Sequence, residues 1–298
     1  MEYASMSKEQ LLDLQEKLQK QYQEYCNMGL NLDLSRGKPG RDQVDLCNDM
    51  LKVVQTGEDC ICENGLDCRN YGVLDGIPEA KRLFADLLGI PEANILVGGN
   101  SSLNLMYDSV VRALIYGVYG GNGPWSRQGK LKFLCPAPGY DRHFRITEHF
   151  GFELVTVPMT PWGPDMDIVE ELVQDPLVKG IWCVPKYSNP QGYTYSDETI
   201  RRFANLKPAA PDFVIMWDNA YCVHEFDGVF EPFPDIISMC AEAGRPNMVY
   251  EFASTSKITF PGAGISVMAS SEENIQYMLK LFSVKTISYD KITQLRHV

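Results

Sequence analysis

The chain has 298 residues, 45% of them apolar and 22% charged, enough for one large globular domain or two medium ones with a buried core. Thirty-nine acidic against 27 basic side chains leave a net charge of -12, which repels a phosphate backbone and argues against nucleic acid as a partner. No apolar run approaches the roughly 18 residues of a membrane span, and the polar stretch Met1 to Gln10 does not have the pattern of an export signal. A cytoplasmic protein without a membrane partner is therefore expected.

The nine cysteines fit that compartment. Cys135, Cys183, Cys222 and Cys240 sit inside apolar segments and read as free thiols. Cys60, Cys62 and Cys68 are closely spaced, but a tetrahedral zinc site wants four nitrogen or sulfur ligands and no histidine lies nearby. A loop with incidental thiols is the expectation, with no metal.

Ser7 to Met28 is amphipathic, with Leu11, Leu12, Leu14, Leu18 and Tyr22 among Lys, Glu and Gln, and reads as a helix. The stretch Asp33 to Gly40, marked by glycine and proline, follows as a loop. Beyond it, strand-like runs alternate with helical ones. The strands are expected at Ile95–Val97, Leu131–Cys135, Glu153–Val157, Gly180–Val184, Phe213–Trp217, Met248–Phe252 and Ile265–Ala269. The helices are expected at Pro78–Leu88, Ser102–Tyr116, Met166–Val173, Asp197–Ala204 and Glu272–Phe282, with Pro78, Asp165, Ser196 and Ser271 marking starts. Such alternation specifies an α/β domain of three layers, a mostly parallel sheet with helices on both faces. In such sheets ligands sit beyond the carboxyl ends of the strands, so those loops are where chemistry belongs.

Five motifs fill those loops. Gly98-Gly99-Asn100-Ser101-Ser102 leads into a helix and suits a phosphate held by backbone N–H groups. Pro138-Gly139-Tyr140 supplies an aromatic face, with His143 three residues on. Ser188-Asn189-Pro190-Gln191-Gly192 forms a turn. Trp217-Asp218-Asn219-Ala220-Tyr221 ends a buried strand with a carboxylate that needs a cation, and a protonated pyridine nitrogen is one. Ser254-Thr255-Ser256-Lys257 places a lysine where it can lose its proton and bond a carbonyl carbon. Each motif alone also has an ordinary structural reading: a solvent-facing lysine, an Asp capping the next turn, a plain Asn-Pro turn, a core tyrosine.

Together and in this order, the motifs resemble the fold-type I pyridoxal-phosphate enzymes of the class I/II aminotransferase group. Within that group they resemble the aspartate aminotransferase-like branch, with its Thr-Ser-Lys-Ile-Thr-Phe-x-Gly-Ala-Gly lysine motif. The resemblance runs from about Leu34 to the end of the chain. It implies residues 1–45 as an N-terminal helix and arm belonging to a small domain, and 46–298 as the large cofactor-binding domain. It also implies that the rest of the small domain would begin where this sequence stops, at Val298. Lys257 would carry pyridoxal phosphate as a Schiff base and move the proton, Asp218 would pair with the ring nitrogen, and His143 would steady Asp218. Asn189 and Tyr221 would donate to the ring's phenolate oxygen, and Tyr140 would stack on the ring. Asn100, Ser101, Ser102 and Ser254 would bind the phosphate, and Tyr71 would reach the phosphate in a partner subunit of a homodimer. Gly37 and Asn189 would face the substrate.

Two departures from the family pattern stand out. The arginine that most relatives carry a few residues after the lysine is replaced here by Phe260-Pro261-Gly262-Ala263-Gly264-Ile265. The arginine for the substrate α-carboxylate lies in the family's C-terminal small domain. The expected reaction is transfer of an amino group between an acidic amino acid, aspartate foremost, and a 2-oxo acid. A lyase or decarboxylase sharing the same cofactor site, the effector domain of a regulator, and a fragment inactive by itself are the alternatives. Arg36, Lys38 and Lys285 are cations that could meet a side-chain carboxylate, although surface roles suit them better.

Overall fold

The computed structural model describes residues 3–32, 38–226, 228 and 233–298. In chain order its first elements are α1 (Lys8–Asn27), α2 (Arg41–Asp45), α3 (Pro78–Leu88), β1 (Ile95–Val97), α4 (Ser102–Tyr116), β2 (Lys132–Ala137), α5 (Asp141–His149), β3 (Glu153–Thr160) and β4 (Gly163–Pro164). There follow α6 (Met166–Leu172), β5 (Val178–Cys183), α7 (Asp197–Ala204), β6 (Val214–Asp218), α8 (Ile236–Glu242), β7 (Val249–Ser254), β8 (Ser266–Ala269), α9 (Glu272–Phe282) and α10 (Lys291–His297). The chain divides into two units, Met1–Gln43 and Val44–Val298.

In the first unit, α1 begins with a reciprocal cap. Gln10 N–H donates to Ser7 Oγ at 3.2 Å, and Ser7 N–H donates to Gln10 Oε1 at 2.8 Å. Its Leu11, Leu18 and Tyr22 are exposed. Gly37 and Arg36 lie outside the described residues.

The second unit is built on one sheet in the order β1-β8-β7-β6-β5-β2-β3-β4. β3, β2, β5, β6 and β7 run parallel, and β8 runs antiparallel to both β7 and β1. The expected parallel sheet is thus present, with a reversed strand near one edge. α3 and α6 to α8 bury Phe84, Val169, Phe203 and Ile237 on one face, while α4, α5 and α9 bury Met106, Val110, Ile146 and Phe282 on the other. Expected element ends agree within a few residues, and Asp165, Ser196 and Ser271 each cap a helix through a side-chain oxygen. Four of the described helices, α2, α5, α8 and α10, have no counterpart among the expected ones. α5 shows why, since only His143, Ile146 and Thr147 are buried along it, too narrow a stripe to register as periodicity.

Strand alternation then sets the chemistry. In β6, Ile215 and Trp217 face the α3 side while Val214 and Met216 face the α4 side, so Asp218 follows onto the α4 side. In β7, Tyr250 and Phe252 face α4, and Ser254 follows them. Two polar residues from adjacent strands therefore reach the same edge on the same face.

Candidate active site

At the carboxyl edge of the parallel strands, Ser101, Ser102, Leu103, Met106, Tyr140, Val184, Asn189, Asp218, Ala220, Tyr221, Ser254, Ser256 and Lys257 line one cleft. Five separate connections contribute, which is where an α/β sheet places its ligands. A larger surface groove beside α6 and α7 is lined by Glu170, Glu198, Arg201 and Arg202. Its Arg202 is taken up by Asp167 and Glu170 and its Arg201 by Glu198, and none of these charged side chains is buried and left unsatisfied as Asp218 is, so the smaller cleft is the candidate site.

The floor of the cleft is Asp218, only 5% exposed. His143 Nε2 donates to its Oδ2 at 2.9 Å, from a ring that stacks on Trp182 with centroids 4.8 Å apart and planes 16° apart. The other oxygen, Oδ1, is buried and finds no hydrogen-bond partner among the described residues. A buried carboxylate oxygen left in that state is costly unless a donor arrives. A ring N–H carrying positive charge is such a donor, so Asp218 fits a protonated pyridine.

Lys257 closes a short 3-10 turn, Thr255–Lys257, that follows β7 directly. Ser254 caps that turn, its Oγ accepting from Ser256 N–H at 3.4 Å. Opposite it, the start of α4 is pinned to the beginning of β8. Gly98 N–H donates to Ser266 O at 2.7 Å, and Ser266 N–H donates to Gly99 O at 2.8 Å. A side chain at Gly98 would meet the end of Leu105 at 2.9 Å, so the loop approaches its helix closely here and a larger residue would displace Leu105. Ser101 is the N-cap residue of α4 yet makes no side-chain cap bond. Its hydroxyl and the helix N-terminus suit an anion, although among the described lining residues there is no arginine and Lys257 is the one cation.

Tyr140 is half-buried, its ring edge-on to His143 at 5.0 Å and 90°. Burial, with Asp218 and Tyr140 nearby, pushes the Tyr221 phenol above its ordinary pKa and keeps it a donor. Asn189 is exposed at the rim, in a loop held by Ser188 N–H donating to Tyr193 O at 2.8 Å and Tyr193 N–H donating to Ser188 Oγ at 3.1 Å.

Of the residues expected from sequence, the cleft brings together Lys257, Asp218, Tyr221, Asn189, Tyr140, Ser101, Ser102 and Ser254, with His143 directly behind Asp218. Asn100 is exposed beside the cleft, its carbonyl accepting from Ser256 Oγ at 3.4 Å. Tyr71 is 77% exposed and does not line this chain's cleft. Ser256, Leu103 and Met106 were not singled out from sequence. Ser256 could have been found from its place next to Lys257, and the other two from the face of α4 they share with Ser102. Trp182 had no such signal, being one more apolar residue in a buried strand.

Cys60, Cys62 and Cys68 are buried free thiols. Cys60 Sγ donates to Thr56 O at 3.3 Å and Cys62 Sγ to Asn64 Oδ1 at 3.0 Å, while burial and the neighbouring Cys62 push the Cys68 thiol up to about 12. No group of three or more potential metal ligands occurs among the described residues.

The chain as a whole is similar to known proteins. A Mycolicibacterium smegmatis protein described as an aminotransferase is 49% identical over all of this chain and 70% of its own length. The structure of a Corynebacterium glutamicum aspartate transaminase is 43% identical, superposes with a TM-score of 0.90, and is matched over 98% of this chain and 69% of its own. At 18% identity and a TM-score of 0.65, the fold is also shared by a Thermus thermophilus α-aminoadipate aminotransferase, solved with N-(5'-phosphopyridoxyl)-L-leucine. That structure is covered over 88% of this chain and 62% of its own. The family model for aspartate aminotransferase matches residues 6–298, and the chain belongs to that family.

Proposed function

We propose that this chain binds pyridoxal phosphate and transfers an amino group between an acidic amino acid, aspartate foremost, and a 2-oxo acid. The observation that carries the reading is the convergence of Lys257 with a buried, half-satisfied Asp218 in one cleft. When bound, pyridoxal phosphate supplies an aldehyde that condenses with amines and a ring that takes up the electron pair of an α-carbanion. Asp218 Oδ1 holds the proton on the ring nitrogen, and His143 keeps that carboxylate oriented. Ser101, Ser102, Ser254 and Ser256 with the α4 N-terminus receive the phosphate, taking the place of the missing arginine. Asn189 and Tyr221 donate to the ring's oxygen, and Tyr140 gives the ring an aromatic face. Lys257 Nζ would hold the aldehyde carbon with loss of water and, once displaced from it by the substrate's amino group, would be the base that takes and returns the α-proton.

The active form in this reading is a cytoplasmic homodimer. Tyr71, exposed and not lining its own cleft, serves the phosphate of the second copy, and the exposed leucines of α1 are covered in the assembly. The test is to add pyridoxal phosphate, reduce with borohydride and map the labelled peptide, then run half-reactions with a panel of amino acids. Label on Lys257 and conversion of L-aspartate support the reading. Label on another lysine, or release of carbon dioxide in place of a 2-oxo acid, rejects it.

A further inference from the structure

The turn that carries Lys257 is held from the far end of the chain. Ile258 N–H and Thr259 N–H both donate to Thr255 O at 2.9 Å, which sets the backbone on either side of the lysine. Thr255 is fixed in turn, since its Oγ1 accepts from Ile265 N–H at 3.0 Å. A side chain at Gly264 would meet that oxygen at 2.5 Å, so the returning loop closes directly over the hydroxyl. From α10, His297 Nε2 lies 2.9 Å from Thr259 Oγ1 and 3.2 Å from Thr255 Oγ1. His297 Nδ1 lies 2.8 Å from Thr293 O. A carbonyl oxygen can only accept, so Nδ1 carries the ring proton and Nε2 of the neutral imidazole is an acceptor. Burial holds this imidazole below its ordinary pKa, which keeps it in that neutral form.

We infer that His297, whose Nε2 accepts from the Thr259 hydroxyl and lies beside that of Thr255, is a positioning residue that fixes the Lys257 turn and thereby the reach of Lys257 into the cleft. His297 is not among the residues that line the cleft. It acts through the two threonines. Its effect on catalysis rests on the reading of Lys257 given above, while the restraint on the turn does not.

The test uses the whole chain and two readouts. Amide hydrogen exchange follows Ile258 and Thr259, with Ile215 in the sheet as the folding control. Borohydride trapping with pyridoxal phosphate follows the rate of label at Lys257. In His297→Ala both amides should exchange about tenfold faster, the sheet amide should be unchanged, and trapping should slow about tenfold. In His297→Gln both readouts should return toward wild type, because the amide oxygen accepts the hydroxyl proton in place of Nε2. Unchanged exchange in His297→Ala, faster exchange without slower trapping, or a Gln variant as defective as the Ala variant would each overturn the inference. Should His297→Ala fail to fold, Thr259→Val removes one hydroxyl and keeps the imidazole. It should speed exchange at Thr259 about threefold, and no change there overturns the inference too. If the wild type labels no lysine, the functional reading fails, and the exchange measurements alone decide the restraint.

Discussion

Strand β6 is bracketed by two buried aspartates with opposite fates. Asp212, just before it, is fully buried, and both oxygens are used: Lys179 Nζ donates to Oδ1 at 2.7 Å and Gln128 Nε2 to Oδ2 at 2.9 Å. Asp218, at the other end, has His143 on one oxygen and nothing among the described residues on the other. The first is a closed structural pair in which every lone pair with a role has a donor. The second keeps an unused acceptor facing a cleft, at a free-energy cost that only a ligand can offset. A function is therefore legible less in how buried a charge is than in what its surroundings leave unsatisfied.

The largest effect tied to this contrast belongs to the cleft side. Lys257→Ala should abolish borohydride trapping and lower amino transfer by at least about 10³-fold, with thermal unfolding near wild type, because no other cation lines the cleft among the described residues. Residual trapping at wild-type level would break the picture. Next, Asp218→Asn keeps the shape but removes the charge. Exchange of the substrate α-proton, followed by NMR in deuterium oxide, should fall about 10²–10³-fold while the melting temperature moves little.

The partner experiment at the closed end should give the reverse pattern. Asp212→Asn leaves Lys179, itself 3% exposed, without its counter-charge, and should cost about 3–5 kcal/mol in urea unfolding. Cofactor trapping by the fraction that remains folded should be unchanged. If Asp212→Asn impaired trapping and spared stability, the two ends would not differ in the way the hydrogen bonds indicate.

The smallest effect concerns Glu251 of β7, which faces away from the cleft side and accepts from Asn219 Nδ2 at 2.9 Å. Burial raises its carboxyl to about 7 from an ordinary 4.5. A folded pKa above the unfolded one means the folded state binds more protons, so this group's contribution to stability falls as pH rises from 4.5 to 7 and is flat beyond. Glu251→Gln should remove that slope and leave the protein about 1–3 kcal/mol more stable at pH 8 than wild type, relative to the difference at pH 4. Parallel stability curves for the two proteins would show that the carboxyl titrates alike in both states.

Much of this molecule was determined by local sequence. Three- and four-residue spacing defines α3, α4, α7 and α9 to the residue, because each presents one apolar stripe to the sheet and carries its own stop or start signal. The cleft motifs were legible for a related reason. Glycine, Asn-Pro, Ser-x-Ser-Lys and a strand-ending Asp are residue types that a buried strand-to-helix connection tolerates only with a purpose.

What local sequence could not carry is everything that depends on which strands become neighbours. The order of the sheet and the reversal of β8 follow from packing the whole apolar set at once, and no single run encodes them. The pairing of His143 with Asp218, 75 residues apart, was reached only through family resemblance, and the stacking of Trp182 behind it not at all. The same holds for His297, which reaches the lysine turn from an element too short and too polar to show a pattern. Periodicity reports only which face a residue takes. A hydrogen bond between distant segments is decided when the two cores close on either side of the sheet and bring the partners within reach.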